Sequence, residues 1–247
     1  MTKRVLILGS GPNATDCRDW DLSGFDAVVA INNAWRVHPA WTHLIHPEDF
    51  PADRHPDRLE TGQRVITAAQ YVPAQNRLGG FVYAGGTMAF TAGYWALDAL
   101  RPEVMAFLGC DMVYPATGNT HFYGTGEADP LREDITLQSL EAKSARLMLL
   151  AAQAGCRCVN LSRAARSRLV FPRATLPALP HLQAPGLPTG LEDFREAQMR
   201  EAELAYFAPS GRYWEEAERF DRHELAALDQ LWLTAHLAYA GRRSEAA

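Results

Sequence analysis

The chain has 247 residues, which is enough for one large domain or for one domain with a small appendage. Its 47% hydrophobic and 21% charged residues are typical of a globular protein, and its formal net charge of −5 argues against nucleic-acid binding, which usually needs a basic face. No stretch approaches the ~18 apolar residues of a membrane span, and the first apolar run is too short for a signal peptide, so we expect a cytoplasmic protein.

Short apolar runs separated by helix-like segments predict alternating strands and helices in the first two-thirds of the chain. Such continuous runs are typical of strands buried on both faces. The alternation favours a Rossmann-like α/β fold, in which helices flank a mostly parallel twisted sheet with right-handed crossovers. The predicted strands are residues 5–8, 26–31, 42–45, 65–67, 81–84, 104–108 and 158–161.

Two helices are predicted between these strands. Residues 87–100 are apolar almost all round, which indicates a helix buried against the sheet. Small and apolar residues recur at three- and four-residue spacing over residues 137–151, which predicts a second helix. Asp134 or Thr136 could cap this second helix, and Gly155 should end it.

The composition of the chain changes near residue 170. Residues 170–190 contain five prolines, which exclude a regular helix or a central strand and predict an extended linker or arm. Residues 192–208 and 220–240 have the pattern of helices, which could cover the site as a lid or form a homo-oligomer contact. The predicted units are a Rossmann-like nucleotide-binding domain over residues 1–169, a proline-rich linker over 170–191 and a helical extension over 192–247.

The first predicted strand runs directly into a turn formed by Gly9, Ser10, Gly11, Pro12 and Asn13. Glycines at a strand end allow a tight turn and the close approach of the backbone to a phosphate or a base. The turn departs from the dinucleotide fingerprint, because no third glycine follows at the required spacing, and it lacks the lysine of a P-loop. We expect a nucleotide-contacting loop, with a purely structural turn as the alternative.

Two further strand-end sequences are candidates for ligand contacts. Asn32 and Asn33 end the second predicted strand, where their amides could bind a ribose or a base edge, or could only favour a turn. Gly85, Gly86 and Thr87 open the buried helix. The free N–H groups and the dipole at this helix start suit an anion, although Thr87 could act only as the N-cap.

Metal-ligating residue types occur without convincing metal-site spacing. His46, Glu48 and Asp49 follow the third predicted strand and could contact a metal, but no second cluster offers partner ligands, and recognition of sugar hydroxyls is the better interpretation. The four cysteines lack zinc-ribbon and thioredoxin spacing, so we expect free, buried or half-buried thiols. We predict no metal site.

The sixth predicted strand ends at Asp111 and opens into a polar loop that contains Tyr114, His121 and Tyr123. A carboxylate at the end of an apolar strand, followed by a loop with a histidine, is a common plan for an α/β active site. Asp111 could bind a ribose or orient the loop. His121 is the best candidate for a general base, since histidine titrates near neutrality, although it could instead brace the loop. Tyr114 and Tyr123 could donate hydrogen bonds to a leaving phosphate.

Taken together, GSGPN, NN, GGTMAF, LGCDMVY and NTHFYG resemble the bacterial sialyltransferase-like group of "GPS"-motif proteins. This group includes lipooligosaccharide sialyltransferases, motility accessory factors, an archaeal pterin diphosphokinase and phage-type relatives, which the wording resembles most. The resemblance covers roughly residues 4–162. It implies transfer from a CMP-linked sugar to a glycan or other acceptor by metal-independent in-line displacement, with no cofactor besides the donor.

The resemblance also implies residue roles. Residues 9–13, Asn32 or Asn33, and residues 85–87 would hold the CMP moiety, and Tyr114 would hold the phosphate. Ser10 and Asn13 depart from the Gly-Asn-Gly-Pro-Ser wording of the family loop. When NTHFYG is aligned with the comparable family sequence, the base histidine falls on Thr125, and His121 matches a different histidine.

Three functions are therefore weighed. The leading expectation is a CMP-sugar-dependent glycosyltransferase in which His121 is the base, Asp111 orients the site, and Tyr114 or Tyr123 holds the leaving phosphate. The second is diphosphate transfer from ATP, which would need Mg²⁺ and carboxylates such as Asp49 and Asp111. The third is a non-catalytic nucleotide- or sugar-binding protein, which Thr125 at the base position favours.

Overall fold

A computed structural model describes residues 3–114, 118–125, 133–186 and 191–245. Within these residues six strands form one sheet in which all neighbouring strands are parallel, in the order β4-β3-β2-β1-β5-β6. The expected Rossmann-like α/β fold is confirmed. The strands are β1 (Arg4–Leu8), β2 (Ala27–Ile31), β3 (His43–Ile45), β4 (Arg64–Ile66), β5 (Val104–Leu108) and β6 (Arg157–Asn160).

The strand order creates a switch point beside β1. From β1 the chain proceeds outward through β2 and β3 to β4, and it then returns to the other side of β1 to form β5 and β6. Every residue of β5 is fully buried, as are the four residues of β1 that follow Arg4. The turns after β1 and β5 therefore leave the sheet side by side and in opposite directions, which opens a crevice at their carboxyl ends.

Helices connect the strands and extend the chain beyond them. They are α1 (Ala68–Arg77), α2 (Phe81–Ala84), α3 (Met88–Trp95), α4 (Leu140–Gln153), α5 (Glu192–Leu204) and α6 (Arg222–Glu245). The predicted buried helix corresponds to α3, which continues into a π-helical turn over Ala96–Leu100. No helix of the described segments is both long and apolar enough to cross a bilayer.

The cap of α4 differs from the prediction. Ser139 caps this helix through a hydrogen bond from the backbone N–H of Ala142, whereas Asp134 caps the short 3₁₀ helix Ile135–Leu137 just before it. Leu137, which the periodicity assigned to the start of α4, therefore belongs to this short helix, and α4 begins at Leu140. Gly155 follows the end of α4 with a φ of 76°, as expected for a glycine that terminates a helix.

The prediction of a strand over residues 81–84 is wrong, because these residues form the single helical turn α2. Gly80 and Gly85 flank the turn with φ values of 84° and 86°. Two left-handed residues reverse the chain on either side, so the segment cannot extend alongside β1. All four residues of α2 are buried, and a short buried helix and a short buried strand have the same apolar sequence pattern.

The two faces of the sheet are covered by different kinds of structure. On one face, α3 and α4 pack on the strands and share one buried cluster with side chains of α5 and α6. On the other face, the cover consists of short 3₁₀ turns, including Pro12–Cys17, Asn32–Arg36 and Leu176–His181. The last of these turns belongs to the proline-rich segment, whose Leu179 is 2% exposed. This segment therefore closes the second face of the sheet.

Buried charges join α5 and α6 to α4. The Lys143 ammonium lies 2.6 Å from a carboxylate oxygen of Asp229, and both side chains are 2% exposed. Arg146, which is equally buried, donates to Glu201 at 2.6 Å and to the Tyr94 hydroxyl at 2.7 Å. Because charges that have left water need partners of opposite charge, these pairs fix how the C-terminal helices dock.

Two aromatic residues of α6 complete this docking. Trp232 is 1% exposed and Tyr239 is 3% exposed, and the Trp232 indole donates a hydrogen bond to Glu201. Both side chains are therefore buried within the fold and are not exposed for contact with a second subunit. Trp214 keeps 59% of its surface exposed and remains accessible.

We expect the Lys143–Asp229 pair to dominate the docking of α6. The substitution Lys143→Met leaves the buried Asp229 carboxylate without a counter-charge, which should lower the free energy of unfolding by about 3–5 kcal/mol in urea denaturation. The double substitution Lys143→Met with Asp229→Leu should recover much of this loss. Arg77→Ala breaks an ion pair whose arginine side chain is 59% exposed, and it should cost about 0–1 kcal/mol. Equal losses for Lys143→Met and Arg77→Ala would contradict the expectation.

Candidate functional site

A cleft of about 680 Å³ opens at the carboxyl ends of β2, β1, β5 and β6. It lies over the switch point, where ligands bind in open α/β sheets. The cleft brings together residues that the sequence places on five separate strand ends and loops. Of the expected site residues, those that line it are Gly9, Ser10, Gly11, Pro12, Asn13, Asn32, Gly86, Thr87, Asp111, Tyr114 and His121.

Three expected site residues lie outside the cleft lining. Asn33 is buried in the 3₁₀ turn after β2, with 3% of its surface exposed. Gly85 is buried, and a Cβ at this position would lie 3.0 Å from Cγ of Lys143. Tyr123 is 41% exposed, and its ring stacks on the His121 imidazole at a centroid distance of 5.0 Å. Tyr123 thus supports His121 from outside the cleft.

The glycines after β1 allow two loops to touch. The Gly9 N–H donates to the Leu108 carbonyl at 2.8 Å, and the Gly11 N–H donates to the Gly109 carbonyl at 2.8 Å. A Cβ on Gly9 would overlap the carbonyl group of Gly109, and a Cβ on Gly11 would also lie too close to it. Contact between the β1 and β5 turns therefore accounts for both glycines without any ligand, as in the structural alternative for this turn.

Asp111 is the polar centre of the site. Its Oδ2 accepts hydrogen bonds from Asn13 Nδ2 at 2.8 Å and from Ser162 Oγ at 2.5 Å. Its Oδ1 accepts from Asn160 Nδ2 at 3.2 Å and lies 3.8 Å from the Arg173 guanidinium. With 9% of its surface exposed and both oxygens engaged, Asp111 holds the turns after β1, β5 and β6 in place.

The same network fixes the loop after β6. The Ala164 N–H donates to Ser162 Oγ at 3.1 Å, and the Arg168 N–H donates to the backbone carbonyl of Asp111 at 2.9 Å. Between these anchors, residues 164–166 line the cleft, and Arg166 is exposed. No motif marks Arg166 in the sequence, but it follows a buried strand, as do the turn of residues 9–13, Asn32 and Asp111.

Unpartnered polar atoms collect at the ends of β2 and β3. Asn32 lines the cleft with a φ of 53°, a left-handed conformation that asparagine tolerates better than most residues. Its Oδ1 is buried and has no hydrogen-bond partner among the described residues, and the same holds for Asn33 Oδ1 and His46 Nε2. A buried polar atom left without a partner costs about 1–3 kcal/mol, so such a group favours a bound ligand or water.

The loop that contains His121 is tied to the turn after β1. His121 and Gly124 exchange two backbone hydrogen bonds, and the Phe122 N–H donates to the Ser10 carbonyl at 3.0 Å. His121 Nδ1 lies 2.9 Å from Thr120 Oγ1, and within the described parts of the chain Nε2 has no hydrogen-bond partner. Burial lowers the pKa of His121 below its usual 6.5, so the imidazole is neutral at pH 7 and can accept a proton.

Tyr114 and Thr125 occupy different environments. Tyr114 lines the cleft, and its pKa is raised to about 12, mainly by burial and also by Cys110 and Tyr123. Its hydroxyl therefore stays protonated at neutral pH and can donate a hydrogen bond. Thr125 is exposed, lies outside the cleft lining and donates to the Gly118 carbonyl at 3.3 Å. The position that aligns with the family's base is thus away from the cleft.

The C-terminal part of the chain supports the cleft wall at Gly86. The Gly86 N–H donates to Thr136 Oγ1 at 2.9 Å, and this hydroxyl donates to Asp134 Oδ1 at 2.6 Å. The Tyr213 hydroxyl donates to Asp134 Oδ2 at 2.6 Å, and a Cβ on Gly86 would overlap this hydroxyl. The expected free N–H groups at this helix start are therefore absent at residues 85–87, because the N–H groups of Gly85 and Thr87 also donate, to the carbonyls of Phe81 and Gly85. Thr87 is the N-cap of α3, as in the alternative.

The described residues do not provide a cluster of metal-ligating side chains. No three His, Cys, Asp or Glu side chains there are close enough to share an ion. Asp49 lines the cleft and is exposed, whereas Asp111 would have to exchange its protein donors to bind Mg²⁺. The four cysteines are free, buried thiols, and burial raises the pKa of Cys17 to about 11, as expected for an unreactive cysteine.

A scan against protein-family models and searches of curated proteins and of solved structures found no match to this chain. The resemblance to the sialyltransferase-like group therefore stays a prediction that rests on the motifs.

We expect Asp111 and Asp49 to differ sharply in their effect on stability, although both line the cleft. Asp111→Asn removes the charge that three donors and Arg173 surround, and it should lower the free energy of unfolding by at least about 2 kcal/mol in urea denaturation. Asp49→Asn changes an exposed carboxylate and should stay within about 0.5 kcal/mol of the wild type. Indistinguishable midpoints for the two variants would remove Asp111 from its structural role.

Proposed function

We propose that this protein binds a nucleotide in the cleft and uses a nucleotide-linked sugar, of the CMP type, as the donor in a glycosyl transfer. The observation that supports this most strongly is Asn32, a cleft-lining residue at the end of β2 whose buried Oδ1 has no hydrogen-bond partner among the described residues. The motif resemblance supplies the CMP assignment. The unpartnered oxygen of a cleft-lining residue supports a polar ligand at the end of β2.

The nucleoside would occupy the β2 side of the cleft. Asn32 Oδ1 can accept a hydrogen bond from the exocyclic amine of a base or from a ribose hydroxyl, and a nucleoside carries such donors at its edge. The tight turn of residues 9–13 forms the neighbouring wall, and its small residues leave room for a sugar or a base. These features favour binding of a nucleoside over binding of a purely apolar ligand.

The transfer step would use His121 as the base. A hydroxyl of the acceptor attacks the anomeric carbon of the donor sugar, and His121 takes the proton of that hydroxyl. The bond between the anomeric carbon and the phosphate oxygen breaks, and the nucleoside monophosphate leaves with the electron pair. Tyr114, whose raised pKa keeps its hydroxyl protonated, can donate to the leaving phosphate.

Two other functions are alternatives to glycosyl transfer. Diphosphate transfer from ATP would need Asp49 and Asp111 around Mg²⁺, and the engaged oxygens of Asp111 weigh against it. A non-catalytic role in nucleotide or sugar binding is favoured by Thr125, which is a poor base and lies outside the cleft lining. Metal dependence separates diphosphate transfer from the other two, and ligand binding without turnover would select the non-catalytic role.

A thermal-shift panel of CMP, CDP, UDP, GDP, ADP and ATP, each with and without Mg²⁺, tests the proposal. CMP at about 100 times its Kd should raise Tm by about 5–10 °C without metal. Asn32→Gly, which suits the positive φ but removes the amide, should weaken CMP binding about tenfold by loss of one buried hydrogen bond. The control Asn119→Gly changes an exposed residue outside the cleft lining.

The other outcomes of the panel are equally informative. A shift with ATP that requires Mg²⁺ would replace the glycosyltransferase proposal with diphosphate transfer. The absence of any shift would overturn nucleotide binding.

The role of His121 is tested by pH. His121→Gln should lower kcat by about 10²–10⁴ while leaving CMP affinity within a factor of two or so, because glutamine cannot act as a base. In the wild type, kcat/KM should fall only below pH 6.5, since burial lowers the pKa of His121 and acid protonates it. Full activity in the glutamine variant, or an acid limb centred above pH 6.5, would remove His121 from the mechanism.

A further inference from the structure

Arg166 is the one arginine or lysine that lines the cleft within the described residues. Its side chain is exposed and makes no hydrogen bond or ion pair with them. The neighbouring arginines of the loop are engaged. Arg168 pairs with Glu141 at 2.9 Å, and Arg173 donates to the carbonyls of Ser162 and Ala164. Arg166 thus presents to the cleft a cation that has no partner among the described residues.

The backbone that bears Arg166 is held in place. The segment 164–166 lies between the Ala164 N–H, which is bonded to Ser162 Oγ, and the Arg168 N–H, which is bonded to the backbone carbonyl of Asp111. Both anchors lead to Asp111, one through its backbone carbonyl and the other through its carboxylate, to which Ser162 Oγ donates. The guanidinium can therefore adjust while its Cα stays fixed at the cleft wall.

Arg166 and Asn32 line the cleft from different strand ends. Asn32 follows β2 directly, the loop that bears Arg166 follows β6, and the strand order between them is β2-β1-β5-β6. Three strand spacings of about 4.8 Å separate the two strands by about 14 Å. A ligand whose nucleoside contacts Asn32 would have to extend across the ends of β1 and β5 to reach Arg166.

The charge around Arg166 also favours an anion. The buried Asp111 carboxylate already accepts three hydrogen bonds and lies 3.8 Å from the Arg173 guanidinium, so both of its oxygens have partners other than Arg166. A guanidinium presents parallel N–H groups that match the two oxygens of a phosphate or a carboxylate.

We propose that Arg166 binds an oxyanion of the ligand on the side of the cleft away from the nucleoside. Its position rests on the proposed function, because Asn32 is assigned there to the nucleoside. The oxyanion is either the phosphate of the nucleotide or the carboxylate of an acidic sugar attached to it. In both cases Arg166 makes the cleft selective for a donor that is negatively charged at this end.

The test compares Arg166→Ala, Arg166→Lys and the control Arg163→Ala by isothermal titration calorimetry. Arg163 is an exposed arginine of the same loop that lies outside the cleft lining. Arg166→Ala should weaken binding by roughly 10–100-fold for CMP or for a CMP-linked sugar that carries a carboxylate, while the affinity for cytidine stays unchanged. Arg166→Lys should retain part of the affinity, and Arg163→Ala should behave as the wild type.

A second ligand identifies the source of the oxyanion. If Arg166→Ala weakens binding of CMP itself, the residue binds the phosphate. If it weakens only a CMP-linked sugar that carries a carboxylate, the residue binds the sugar. Wild-type affinity of Arg166→Ala for both ligands would overturn the proposal.

The outcome stays interpretable if the proposed function fails. If the wild type binds neither cytidine nor CMP, titration of pyrophosphate followed by ³¹P NMR tests Arg166 directly. Loss of pyrophosphate binding in Arg166→Ala but not in Arg163→Ala would keep an oxyanion site at this position without a nucleotide. Equal behaviour of the two variants would overturn it.

Discussion

The carboxylate of Asp111 is the interaction on which the cleft depends. In a parallel sheet no hairpin connects neighbouring strands, so the turns at the carboxyl ends are joined by non-covalent contacts between them. Asp111 accepts hydrogen bonds from Asn13, Asn160 and Ser162, which come from the turns after β1 and β6. The backbone of the β1 turn then approaches the Gly109 carbonyl directly. A single buried carboxylate thus helps to set the relative positions of three loops. The positions of the cleft-lining residues on these loops depend on it.

The C-terminal helices take part in the same arrangement. Lys143 and Arg146 of α4 are buried with Asp229 and Glu201, so α4 cannot leave these partners without exposing or stranding a charge. Tyr213, between α5 and α6, supports the wall at Gly86 through Asp134. Residues far beyond the sheet in sequence therefore help to shape the opening of α3 towards the cleft.

Much of the fold follows from the sequence because strands buried on both faces leave an unmistakable apolar run, as in β1 and β5. The expectation failed at residues 81–84, where the two flanking glycines, rather than the apolar residues, decide the conformation. The helix α1 gives no comparable signal, since Pro73 lies inside it and only one side is buried. The residues that follow the predicted strands were expected to form the site, and most of them line the cleft. The partners of Asp111 and the exposure of Arg166 arise only when β6 is placed beside β5, which local sequence cannot show.

The contact between the turns after β1 and β5 has a consequence for how this sequence is compared with others. Gly9 and Gly11 are required by the carbonyl of Gly109 whether or not anything is bound. Natural selection would keep these positions in any descendant that retains the two loops, even one whose ligand had changed completely. A sequence signature built on these glycines would group proteins that share the loop architecture. Differences in ligand between such proteins would instead follow from side chains such as those at positions 32 and 166.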